Sequence, residues 1–168
     1  MKPFEAKDYP VFDMFNNRWG LVTAGTPEHW NTCTIAWGSL GTIWGMPGKG
    51  KPIATVYINP ARYTWDFLKE QETFTVSLFP EAYRRALGYL GSHSGRDGDK
   101  VAAAGLTPKV VDGAVTFAEA ELTFVCRKIY EAPFDRAAIT PEVNDTFYNR
   151  MEPHWMFVGE ILGCEDKR

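Results

Sequence analysis

The sequence predicts a mainly β chain: a barrel decorated by a few short helices. Two observations carry that prediction. Several segments show apolar–polar alternation or strand-type apolar runs bounded by turn residues, and the segments with helical spacing are short. No internal repeat or low-complexity linker divides the chain, so residues 1–168 read as a single domain.

The strands are expected at Trp19 to Thr23, Thr32 to Trp37, Ile53 to Ile58, Thr73 to Phe79, Glu119 to Tyr130 and Trp155 to Leu162. In Thr73-Phe74-Thr75-Val76-Ser77-Leu78 every second residue is apolar, which places those residues on one face of a strand. Glu121-Leu122-Thr123-Phe124 repeats the pattern and Val125 breaks it, as a bulge or a strand buried on both faces would. Thr64 to Lys69 reads as a helix start with Thr64 as cap and Asp66 in the first turn. Ala82 to Leu90 is a second helix, with Tyr83, Ala86, Leu87 and Leu90 at helical spacing. Lys100 to Ala104 is a third, capped by Asp97 or Asp99 and ended by Gly105. Many strands with short helices to one side suit a decorated barrel.

Composition narrows the function. The 45% apolar and 23% charged content is an ordinary globular mixture, which excludes disorder and coiled coil. A net charge of -3 and a pI near 5.6 give no basic field for nucleic acid. A phosphate group would have to be held by a few local cations and backbone donors. Aromatic residues make up 14%, which core packing explains and a planar ligand would also use. Cys33, Cys126 and Cys164 are far apart and form no C-x-x-C pair, so neither a zinc knuckle nor a dithiol motif is expected. The first residues lack the apolar stretch of a signal peptide, and no apolar run approaches the ~18 residues of a membrane span. The expected location is the cytoplasm, with no membrane and no nucleic-acid partner.

Two motifs tempt and fail. Gly45 to Lys51 has the glycine and lysine spacing of a phosphate loop, but Pro52 stands where a magnesium-binding hydroxyl belongs and a strand follows where a helix should. A glycine-rich hairpin loop is the better reading. Gly91-Ser92-His93-Ser94-Gly95 resembles a nucleophile elbow with His93 in the place of the serine. The histidines His29, His93 and His154 form no metal-ligand spacing, so no metal site is expected.

Three polar clusters remain. Asn31-Thr32-Cys33-Thr34 runs into a strand, where its threonines could equally line a sheet. Pro60-Ala61-Arg62-Tyr63-Thr64 lies between a strand and a helix start. An arginine there, beside a hydroxyl and free helix N–H groups, suits a phosphate, although a helix cap with a surface arginine has the same sequence. Gly91 to Lys100 joins two helices and offers Ser92, Ser94, glycines for close backbone approach, and cations. A solvated loop would look alike.

Taken in order, these clusters resemble one family. Asn17-Arg18-Trp19-Gly20-Leu21-Val22-Thr23-Ala24-Gly25 and Asn31-Thr32-Cys33-Thr34-Ile35-Ala36-Trp37-Gly38 are similar to the opening of the flavin reductase-like proteins, which include flavoredoxin. Arg62-Tyr63-Thr64, Gly91 to Asp97 with Lys100, and His154 followed by Val158-Gly159-Glu160-Ile161 continue it, from about Phe12 to Leu162. The resemblance implies an antiparallel, Greek-key-type split β-barrel that binds FMN non-covalently as a homodimer, with the flavin near the subunit interface. Carried over, Asn31, Thr32, Cys33 and Thr34 would line the isoalloxazine and ribityl, largely through backbone groups. Arg62, Thr64, Ser92, Ser94 and Lys100 would hold the phosphate, with Gly95 in the same loop. Tyr63 and Trp37 would pack near the flavin. His154 would contact the ring or the second substrate, or simply pack.

Two departures stand out: Ala61 where the family often has a hydroxyl, and Asn59 near a usual basic residue. The Gly45 to Lys51 loop also looks long, enough to reshape one mouth of the site. The implied activity passes electrons from NADH or NADPH through bound FMN to free flavin, a metal ion or a redox protein. No side chain need act as acid or base, since the flavin carries the chemistry. Two rivals share the motifs: a flavoredoxin-like electron carrier without nicotinamide activity, and a barrel that has lost its cofactor.

Overall fold

In the computed structural model, which describes residues 1–168, nine strands and four short helices follow one another along the chain. The strands are β1 (Gly20–Thr26), β2 (His29–Ile35), β3 (Gly38–Ile43), β4 (Lys51–Ile58), β5 (Thr73–Leu78), β6 (Pro108–Val111), β7 (Ala114–Phe117), β8 (Leu122–Pro133) and β9 (Trp155–Asp166). The helices are α1 (Tyr63–Glu70), α2 (Arg84–Ser92), α3 (Lys100–Ala103) and α4 (Pro141–Val143), the last running into a π-helical turn at Asn144–Tyr148. Seven strands form one antiparallel sheet in the order β2-β1-β5-β8-β9-β4-β3, and β6-β7 is a separate hairpin. The large sheet curls until β2 and β4 line the same depression, yet no ladder joins them. That gap makes the barrel a split one. No helix is long and apolar enough to cross a membrane.

Alternation decides what goes inside. Val22 and Ala24 of β1, Phe74, Val76 and Leu78 of β5, and Leu122, Phe124 and Cys126 of β8 share the main core. On the outer side, Leu21, Leu87, Leu90, Val101 and Phe117 form a second core under α2 and α3. The polar face of β5 is buried too. Thr75 Oγ1 donates to Val115 O at 2.7 Å, and Ser77 Oγ lies 2.9 Å from Thr116 Oγ1, so β6-β7 covers these hydroxyls and bonds them. Val125 packs on Val111 and Ala114 of that hairpin, and the β8–β9 register shifts between Val125 and Cys126. Its break in the pattern therefore marks burial on both faces together with a bulge.

Several expected elements need correction. The second strand ends at Ile35 and not Trp37, because the chain bends at Ala36 to begin β3. That strand and the β6-β7 hairpin were not expected; the glycines Gly38 and Gly41 weaken the strand signal of β3. The second helix starts at Arg84, after a 3-10 turn at Glu81–Tyr83. Arg62, and not Thr64, occupies the cap position of α1, and it makes no side-chain cap bond. The third helix is capped as expected, with Asp99 accepting from Val101 N and Ala102 N. Gly45 to Lys51 is indeed the tip of a hairpin, β3-β4.

Gly159 shows how tightly the sheet is filled. A Cβ there would stand 2.5 Å from Phe74 Cζ and 2.6 Å from Cys126 Cβ. Gly159→Ala is expected to destabilise the fold by about 1–3 kcal/mol through overpacking. Urea unfolding would read this as a lower midpoint with an unchanged slope.

Candidate functional site

The split carries a cleft made of two depressions that share Cys33 and Arg62. One is flanked by Trp37, Tyr57 and His154; the other by Asn31, Tyr63, Ser94 and Lys100. Their cavity volumes are about 160 and 180 Å³. Neither alone reaches the ~300 Å³ of small-molecule sites, whereas the pair does. The shape suits an elongated ligand with an aromatic end and a polar, anionic end.

Of the residues singled out in the sequence, Asn31, Cys33, Thr34, Trp37, Arg62 and Tyr63 line the cleft. Thr64, Ser92, Ser94, Gly95, Lys100 and His154 line it as well. Thr32 does not. Its hydroxyl is committed to the neighbouring strand, where Oγ1 donates to Val22 O and accepts from Thr23 Oγ1, both at 2.9 Å. Tyr57, His93 and Asp97 also line the cleft and were not picked out as site residues. Their strand and loop positions carried no signal beyond ordinary packing and solvation.

At the polar end, Arg62 Nη1 donates to Gly91 O at 2.8 Å, leaving its other N–H groups without a protein acceptor. The backbone N–H groups of Tyr63 and Thr64 open α1 and have no protein acceptor either. Lys100 is only 6% exposed, and its Nζ donates to Leu90 O at 3.1 Å and His93 O at 3.0 Å. Burial pushes its pKa below the ordinary lysine value, and Arg62 nearby pushes the same way. Arg96 is neutralised by Asp66 at 2.5 Å, with its guanidinium over the Tyr63 ring.

The hydroxyls divide by use. Ser92 Oγ turns back onto the carbonyls of Gly88 and Tyr89, whereas Ser94 only accepts, from Arg96 N, and keeps a proton to donate. Thr64 is fully buried and accepts from Asn31 Nδ2 at 2.9 Å. Thr34 Oγ1 donates to Leu87 O at 2.6 Å, which fastens α2 to β2. Gly95 is required by close approach: a Cβ there would lie 2.2 Å from Asn31 Oδ1. Burial pushes the Cys33 thiol up against an opposing hydrogen bond from Thr64, so it packs as a neutral thiol and not a thiolate.

At the aromatic end, the His154 ring lies against Trp37 with centroids 4.8 Å apart, and Nδ1 is 3.1 Å from the Tyr148 hydroxyl. Burial, helped by the charge of Arg62, pushes the His154 pKa below the ordinary value.

The flavin reductase like domain model matches residues 14–168. The chain belongs to that family. Solved structures agree on the fold. An FMN-binding protein from Thermus thermophilus with bound 1-cyclohex-2-enone aligns over 99% of this chain and 81% of its own, at TM-score 0.69 and 20% identity. Flavoredoxin of Desulfovibrio vulgaris (Miyazaki F) aligns over 99% and 76%, at TM-score 0.65 and 24% identity. Nitrilotriacetate monooxygenase component B from Bacillus cereus aligns over 89% and 69%, at TM-score 0.65 and 16% identity. No curated protein matches the chain.

The lowered pKa of His154 has a consequence for stability. Between its ordinary value of 6.5 and its lower folded value, the unfolded chain binds a proton that the folded chain does not. This contribution to stability is therefore complete above pH ~6.5 and is lost as pH falls through the folded pKa. His154→Gln is expected to flatten the fall in urea midpoint on going from pH 7 toward 5, measured against the parent protein.

Proposed function

We propose that this protein binds FMN non-covalently in the cleft and works as a flavin reductase-like oxidoreductase, taking electrons from NADH or NADPH and passing them to a second acceptor. The observation that carries the proposal is the cleft's polarity. A polar end with Arg62, Lys100, Ser94 and the open N-terminus of α1 continues, past Cys33, into an end flanked by Trp37, Tyr57 and His154. The donor set fits the cofactor. Arg62 and the free N–H groups of Tyr63 and Thr64 are the groups a phosphate needs, and no carboxylate other than Asp97 lines that end.

FMN, when bound, supplies the hydride and electron chemistry. The chain's own residues have simpler tasks. Arg62, Ser94 and the α1 N–H groups hold the phosphate, and Lys100 adds charge from below. Backbone groups of β2 from Thr32 to Thr34 and its exit at Ala36 run beside the ring; N–H donors there favour added negative charge. Trp37 and His154 close one side of that end against water.

A groove lined by Val11, Phe15, Leu40 and Tyr57 adjoins the aromatic end, with Phe12 beside it 92% exposed. We assign this apolar surface to the homodimer contact, which places the flavin near the interface. Three buried, unpaired cysteines suit a reducing compartment, and we place the protein in the cytoplasm. The acceptor is a free flavin, a metal ion or a redox protein. Flavoredoxin among the similar structures supports a second reading, an electron carrier reduced by a protein partner.

An anaerobic visible spectrum of the FMN-loaded protein separates the two. Rapid bleaching by NADH or NADPH is expected; a bound flavin that stays oxidised would select the carrier. Arg62→Ala should weaken FMN binding by about 1.5–3 kcal/mol, roughly 10- to 150-fold in Kd by fluorescence quenching. An unchanged Kd would remove Arg62 from the phosphate site.

A further inference from the structure

Behind the aromatic end lies the crossover between β8 and β9, which carries no motif of its own. It is clamped rather than loose. Arg136 donates to Tyr148 O and Met151 O, each at 2.9 Å, and Asn144 Nδ2 donates to Arg136 O at 3.0 Å and Ile139 O at 3.1 Å. The clamp sets two consecutive aromatic side chains around the site. Phe147 meets Trp37 edge-on at 5.9 Å, and Tyr148, buried, stands behind His154.

The Tyr148 hydroxyl has one protein partner, His154 Nδ1 at 3.1 Å. Two arrangements of the proton are open to a neutral imidazole. If Nδ1 carried it, the ring would donate to the phenol oxygen, and the phenol O–H would point into a buried region with no acceptor. If the phenol donates to Nδ1, the buried hydroxyl proton and Nδ1 satisfy each other. The ring proton then resides on Nε2, which has no protein partner, on a side chain that lines the cleft.

We propose that Tyr148 is a positioning residue that fixes His154 as the Nε2–H tautomer, making it a hydrogen-bond donor to a carbonyl oxygen of a planar ring held at the aromatic end. With Arg62 on the same depression, that end then presents donors and no carboxylate. A ring that gains electron density on its carbonyl oxygens is favoured there. Burial and the neighbouring Arg62 keep His154 in its neutral form near pH 7, which a single-tautomer donor requires. The ligand part of this inference rests on the flavin reading; the tautomer part does not.

Long-range 1H–15N correlation spectra of the uniformly 15N-labelled protein without flavin test the tautomer directly, with His29→Gln and His93→Gln variants assigning the His154 signals by subtraction. At pH 7.5 the expected result is one tautomer, with the proton on Nε2 and an unprotonated, hydrogen-bonded Nδ1. An Nδ1–H tautomer, a mixture or an imidazolium would overturn the proposal. Tyr148→Phe should turn the single form into a mixture while the circular dichroism spectrum stays unchanged. A folded variant that keeps pure Nε2–H would remove Tyr148 from the role, and if the variant does not fold, the unmodified protein's spectrum decides alone. FMN is then titrated in, with its absorbance shift reporting binding. A shifted, slowly exchanging Nε2–H proton is expected. Bound FMN with an unmoved proton would overturn the ligand part. Failure of FMN to bind would overturn the flavin reading and the ligand part together, and the tautomer would stand.

Discussion

The site depends on how the C-terminal end of α2 is satisfied. A helix ends with carbonyls that have no intrahelical donor, and it carries a partial negative charge there. In this chain two of those carbonyls are met from elsewhere in the fold, Leu90 O by Lys100 and Gly91 O by Arg62. Both residues line the cleft. The two cations therefore serve two tasks, neutralising the helix end and leaving positive potential that an anionic ligand would meet. Without Lys100 and Arg62, the carbonyl-rich end of α2 would repel the anion that the cleft otherwise suits.

The cleft exists because the sheet fails to close. β2 pairs with β1 on one edge, and β4 pairs with β3 and β9, so no strand bonds across the gap between β2 and β4. An open strand edge is a liability that folds ordinarily cover or blunt. Here the gap is flanked by α1, the Gly91–Lys100 loop and the β8–β9 crossover, and each brings functional groups to it. Backbone polar groups at an unpaired edge are then available to a bound ring. Incomplete barrel closure is thus part of how a cofactor would be recognised.

Much of this was legible in the sequence, but unevenly. Strand alternation in Thr73 to Leu78 was readable because period-2 patterning is local. What could not be read was that its polar face is also buried, since Thr75 and Ser77 find their partners on a hairpin some 40 residues away. Most of the cleft residues were found because the ordered polar clusters resemble those of a family. Thr32 sits within the same cluster, yet its hydroxyl serves the neighbouring strand, a partner that the cluster alone does not reveal. Thr64 has the sequence of a helix cap, but the helix begins one residue before it and its hydroxyl is drawn under the loop to Asn31. Tyr148 carried no sequence signal, because its meaning arises only when the crossover folds back behind His154.

The departure at Asn59 illustrates how a site can trade one interaction for another. The family resemblance places a basic residue near this position, so the asparagine removes a cation that a bound phosphate would otherwise have nearby. Its side chain is not idle. Oδ1 accepts from Ala61 N at 3.0 Å, which shapes the turn into α1, and Nδ2 donates to Glu152 O at 2.8 Å. A lysine or arginine has no acceptor and could not hold the Ala61 N–H. Asn59 therefore ties the turn into α1 to the segment that leads into His154, coupling the two ends of the cleft through one side chain. A phosphate bound there would rely more heavily on Arg62 and on the open N–H groups of Tyr63 and Thr64, whose orientation that same asparagine helps to set.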